Sequence, residues 1–168
     1  MRISLVATAA ALMLVSVSTS LHSQKPDDQV DARSLQLLAQ GKTAAAAGKF
    51  DEATDTLETA LAVDPRNRAA FVVLADVTQQ RGLDGKAIRL YRDAMLLDPN
   101  DRAAIAGEGR ALVAKGAVTQ AKADLAKLQK LCGGACPEGQ QLAAAIAKGP
   151  RPTALAAQDT DTKASAAD

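Results

Sequence analysis

Cys132 and Cys136 are the residues of this chain whose type and spacing most directly suggest chemistry. They bracket Gly133, Gly134 and Ala135, and the chain has no other cysteine. A disulfide, free thiols, redox exchange and a share in a metal site are the readings open to such a pair. A redox pair usually has two intervening residues in a thioredoxin-like strand–helix setting, which this segment lacks. Zinc would need two further ligands, and the one histidine, His22, lies far upstream. A structural disulfide is the expectation, because glycines let so short a loop close. The chain-entropy model gives such a small loop roughly 2 kcal/mol, enough to pin a local element but not to hold a fold.

Other chemistry has little to work with. Without a histidine beyond His22 there is no Ser–His or Cys–His pair in the rest of the chain. Gly107-Glu108-Gly109 lacks the strand–loop–helix context and the lysine of a phosphate loop. The acidic residues are scattered over what read as solvated helix faces. No catalytic residue, cofactor or metal site is expected. Lys+Arg 20 against Asp+Glu 19 gives a net charge of +1, so nucleic acid and anionic membrane surfaces have no electrostatic claim on the chain.

The elements that position these residues follow one repeated pattern. Gly48 to Pro65, GKFDEATDTLETALAVDP, reads as a turn, a helix and an Asp-Pro stop. Ala53, Leu57, Ala60 and Leu61 fall at i, i+4, i+7 and i+8, the stripe of a helix that buries one side. Gly82 to Pro99 repeats the pattern with Ala87, Tyr91, Ala94 and Met95, a shift of 34 residues. A third step of 34 reaches Gly116, Ala121, Leu125 and Leu128. Proline at 65 and 99 cannot continue a helix and disfavours helical geometry in the aspartate before it. Helices are therefore predicted over about 32–47, 50–63, 68–81, 84–97, 102–115 and 118–131, with Asp101 a candidate cap. Pro137 opens a further helix over 137–148, with Leu142, Ala145 and Ile146 on one face.

The ends read differently. Residues 1–23 resemble a signal peptide in layout, with Arg2, an apolar run over 3–17 too short to span a bilayer, and small residues permitting cleavage after Ser20 or Ser23. Residues 24–31 form a polar lead-in, and residues 149–168, with nothing large beyond Leu155, are expected to be disordered. The chain reads as exported and periplasmic, with secretion an alternative, and with no membrane span after signal cleavage; an uncleaved membrane anchor is the other reading of residues 1–23.

The hairpins resemble tetratricopeptide repeats, whose period is 34 and whose units carry small residues at fixed sites and a closing proline. Leu37 and Phe71 stand at the first large site, and Gly41 and Ala75 at the small site beside it. Ala53 and Ala87 fill the small site of the second helix, Leu57 and Tyr91 the large one, and Ala60 and Ala94 the next small one. The third unit keeps Ile105, Gly109, Gly116, Ala121 and Leu125, but has Leu128 for the usual alanine, Gly133 where proline would close it, and Glu108 at an apolar site. The resemblance implies an all-α solenoid of about three hairpins, over residues 34–67, 68–101 and 102–135, plus a C-terminal capping helix. It also implies a concave groove for an apolar or helical protein segment, lined by Leu35, Leu38, Lys42, Ala69, Val72, Asp76, Gln79, Arg110 and Val113. The family's carboxylate clamp falls on Leu38, Lys42, Val73, Ala103 and Gly107, of which Lys42 alone could serve. The resulting expectation is a non-catalytic envelope adaptor, with self-association through the ends of the stack open. A redox-linked or metal-handling protein using Cys132 and Cys136 is the alternative.

Overall fold

The computed structural model describes residues 29–134 and 136–150; the expected signal peptide, most of the lead-in and the tail from residue 151 lie outside them. The described chain is built of helices: α1 (Ala32–Ala46), α2 (Phe50–Val63), α3 (Arg68–Gln80), α4 (Asp84–Leu97), α5 (Arg102–Ala114), α6 (Val118–Leu131) and α7 (Pro137–Lys148). They pair as α1/α2, α3/α4 and α5/α6, with α7 packed against α5 and α6. The first helix of each pair starts on a side-chain cap: Asp31, Asn67 and Asp101 accept from the amides of Arg33, Ala70 and Ala104. Each first helix then stops at a glycine with positive φ, at Gly48, Gly82 and Gly116, a backbone region other residues seldom adopt.

Joints between successive hairpins recur at one position with different chemistry. In the first, the Asn67 amide donates to Ser34 Oγ at 2.8 Å, and that hydroxyl donates to the Ala60 carbonyl at 2.7 Å. Both side chains are buried, and both are satisfied. One period later the same two positions are Arg68 and Asp101, which form an ion pair. Beside the first joint, the buried Asp64 carboxylate accepts from Arg66 Nε (3.1 Å), the Arg66 amide (2.9 Å) and the Asp31 amide (2.8 Å). The Arg66 side-chain bond, foremost among these, holds its pKa down at about 2. Asp64 thereby ties the end of α2 to the start of α1.

The core consists of alanines and glycines that let helices approach and large residues that fill what remains. Leu57 lies against Gly41, where an added Cβ would meet Leu57 Cγ at 2.6 Å. The Tyr91 ring lies against Gly107 still more tightly. Leu142 of α7 lies against Gly109, 2.6 Å from where a Cβ would stand. Leu57, Tyr91 and Leu142 are each fully buried. Phe50 and Phe71 also pack on the core. A capping helix is thus seated by the same small-against-large contact that joins the hairpins.

Glu108 departs from the apolar pattern. Its equivalent in the second hairpin, Leu74, is a core residue, whereas Glu108 is buried and held by Arg92 Nε at 2.6 Å. Asp124 of α6 lies close by, with Oδ2 buried and unbonded among the described residues. Burial, and then the charge of Glu108, push its pKa up to about 6.

Two predictions follow from this packing. Gly107→Ala should destabilise by about 1–3 kcal/mol, because the buried Tyr91 ring has nowhere to go. Gly85→Ala, where a Cβ meets nothing within 4 Å, should instead stabilise by about 0.4–1 kcal/mol. Thermal melts of the two variants should move in opposite directions. Asp124 titrates near 6 when folded and near 3.9 when unfolded, so its charge penalises the fold above about pH 6 and not below about pH 4. Asp124→Asn should raise Tm by a few degrees near neutral pH, with the gain shrinking as pH falls through that window. A gain independent of pH would show that the penalty is not the carboxylate's charge.

Candidate functional site

The inner faces of α1, α3 and α5 carry a row of charge at one repeat position: Lys42, Asp76 and Arg110, each 34 residues from the next. Arg110 NH2 stands 3.5 Å from Asp76 Oδ1. The same carboxylate oxygen accepts from the Tyr91 hydroxyl at 2.6 Å, with Gln79 Oε1 3.2 Å from that hydroxyl. Burial, then the Asp76 charge, hold the Tyr91 hydroxyl well above the usual tyrosine pKa, so it remains a donor. The core thus reaches through Tyr91 to fix the middle of the row, whereas Lys42 is exposed and has no ion-pair partner among the described residues.

Two clefts flank α3. One, of about 360 Å³, is lined by Lys42, Ala45, Ala46, Val73, Asp76, Val77 and Gln80, from α1 and α3. The other, of about 440 Å³, is lined by Gln79 of α3, Arg110, Val113 and Ala114 of α5, Ala145 and Lys148 of α7, and Gly149 and Pro150. Lys42, Asp76, Gln79, Arg110 and Val113 are therefore gathered around these clefts.

The remaining expected groove residues lie elsewhere. Leu38 is 6% exposed and packs in the first core cluster with Leu57 and Leu74, so it is a core residue and not a groove wall. Ala69 and Val72 are partly buried against the core, and Leu35 is about half exposed on the first turn of α1. Val113, already placed on the cleft between α3, α5 and α7, is 3% exposed and forms its floor. The clamp positions Leu38 and Gly107 are closed by the core and by the Tyr91 ring. Lys148, Ala145 and the Gly149-Pro150 exit were not anticipated as walls, because the repeat pattern says nothing of where a capping helix crosses the inner face. The Tyr91–Asp76 bond carried a readable signal: a tyrosine at a core address needs a partner for its hydroxyl.

Cys132 closes α6 and Cys136 precedes α7; their Cα atoms lie 5.8 Å apart and their sulfurs are within bonding distance. Gly133 and Gly134 between them both have positive φ. Cys136 is buried and Cys132 partly so.

No family model and no curated protein sequence matches the chain. Solved structures do. The first TPR domain of Spaghetti (RPAP3), bound to HSP90 peptide SRMEEVD, is 23% identical, covering 71% of this chain and 94% of that one, with a TM-score of 0.65. The TPR2B domain of yeast Sti1, in a pHsp70 complex, is 16% identical over 70% of this chain and 98% of its own, with a TM-score of 0.65. The Yersinia enterocolitica type III secretion translocator chaperone SycD is 20% identical over 70% of this chain and 89% of its own, with a TM-score of 0.62. The fold is that of a tetratricopeptide repeat domain, an all-α solenoid.

Tyr91→Phe removes the donor that holds Asp76 and should lower stability by about 1–2 kcal/mol. A urea titration should show a lower midpoint with an unchanged slope. An unchanged midpoint would mean that Arg110 alone positions Asp76.

Proposed function

We propose that this protein is a non-catalytic adaptor of the cell envelope that holds a segment of a protein partner in its concave face. The observation that carries this reading is the row Lys42–Asp76–Arg110, flanked by two clefts, on the inner face of a fold whose solved relatives include peptide-bound domains. Alternating charge beside small apolar floors suits a partner segment with interspersed apolar and charged side chains. Export rests on the layout of residues 1–23. Within the envelope, assistance to assembly of a pilus or secretion system fits a small exported repeat protein. In an exporting compartment the Cys132/Cys136 pair is oxidised, pinning α7 to the end of α6.

A mild-crosslink pull-down from the native envelope tests this, using mature protein against Lys42→Glu with Arg110→Glu. One captured protein, released by the charge reversal while circular dichroism and Tm stay near those of the parent, supports the groove as the working surface. Cys132→Ser with Cys136→Ser should leave capture intact and lower stability by about 2 kcal/mol. Capture that ignores the groove variants but disappears with the cysteines would transfer the function to the cysteine pair.

A further inference from the structure

We propose that the cleft between α3, α5 and α7 binds a short apolar segment followed by carboxylates, and that its resident occupant is the chain's own tail, residues 154–161. The chain leaves the described structure from the wall of this cleft. Gly149 ends α7 with its amide bonded to the Ala145 and Ile146 carbonyls, and Gly149 and Pro150 are themselves lining residues. The tail thus starts at the site it would fill.

Charge favours this occupant. The cleft has two cations, Arg110 and Lys148, over a floor of Val113, Ala114 and Ala145. Arg110 faces one carboxylate, Asp76, at 3.5 Å, and Asp76 already accepts the shorter bond from Tyr91. Lys148 has no ion-pair partner among the described residues. The tail supplies what is missing in the matching order: Ala154, Leu155, Ala156 and Ala157 are apolar, and Asp159 and Asp161 follow. Leu155 is the one large apolar residue beyond Pro150. It lies five positions beyond Pro150, a reach of at most about 18 Å, ample to turn back over an adjacent cleft.

Tethering makes a weak contact sufficient. A short flexible linker gives an effective concentration on the order of millimolar, so an intrinsic Kd of that order keeps the cleft about half occupied. A partner segment entering this end of the concave face would have to displace the tail, which goes beyond the adaptor reading and is testable without any partner.

The test compares amide spectra of the intact chain with those of an intact-chain variant carrying Leu155→Ser, Asp159→Lys and Asp161→Lys. Shifts at Gln79, Arg110, Val113, Ala114 and Ala145 are expected, equal in dilute and concentrated samples. A synthetic peptide of residues 151–168, added to the variant, should restore those shifts with a millimolar Kd. It should bind the parent chain about twofold more weakly, because the parent's own tail competes. Shifts confined to residues 149–168 would overturn the proposal. So would shifts that grow with protein concentration, which would assign the cleft to the tail of a second copy. Neither outcome bears on the envelope pull-down, which reads the groove charges through a different partner.

Discussion

The second and third hairpins depend on one missing side chain. Gly107 leaves α5 bare where the Tyr91 ring from α4 lies down, and the ring is fully buried there. Burying an aromatic of that size is among the larger favourable terms a small alanine-rich core can collect, but it brings a hydroxyl into the interior. The hydroxyl is satisfied because it emerges on the inner face beside Asp76 and Gln79. A packing requirement on one side of α3 is therefore an electrostatic one on the other. The carboxylate that anchors tyrosine lines the cleft between α1 and α3, and its partner Arg110 lines the cleft between α3, α5 and α7.

The fold was largely readable because its information is local and repeated. Turn glycines, Asp-Pro stops and a stripe of small and large residues recur every 34 positions, and each occurrence checks the others. Even the departures could be located: Glu108 stood out at an apolar site, although its solution, an arginine from the preceding hairpin, could not be seen. The candidate site was less legible. Lys42, Asp76 and Arg110 are legible because the resemblance assigns the first helix of each pair to the inner lining, whereas Leu38 falls in the core because lining and core positions alternate within one helical turn. Val113 lines a cleft, as the resemblance implies, but as its floor beside α7, whose path depends on Leu142 meeting Gly109, a contact outside the repeat register. Export, cleavage and the tail belong to residues that the described structure does not include.

The two ends of the stack are unlike. At one end α7 supplies Leu142 and Ile146 to the last hairpin and covers part of its inner face. At the other, Gln36, Ala39, Gln40, Thr43 and Ala44 of α1 line an open cleft of about 420 Å³ with Ala47, Lys49 and Glu52. Gln40 is solvent-facing where later hairpins bury Leu74 and Glu108, as suits a first helix that follows no other among the described residues. A solenoid whose last hairpin is covered and whose first helix turns a glutamine outward at this position can remain short.

The glycines at the helix contacts and those at the hairpin turns are required for different reasons. At Gly41, Gly107 and Gly109 the neighbouring side chain forbids volume. At Gly48, Gly82 and Gly116 a Cβ would meet nothing within 4 Å, and the objection is to handedness alone. Mirror-image residues favour the backbone region that ordinary ones avoid. A D-alanine built into any of the three turns by chemical ligation would thus be at home, and would narrow the freedom of the unfolded chain where glycine leaves it widest. These turns are achiral by the limits of the genetic code, not by the demands of the fold.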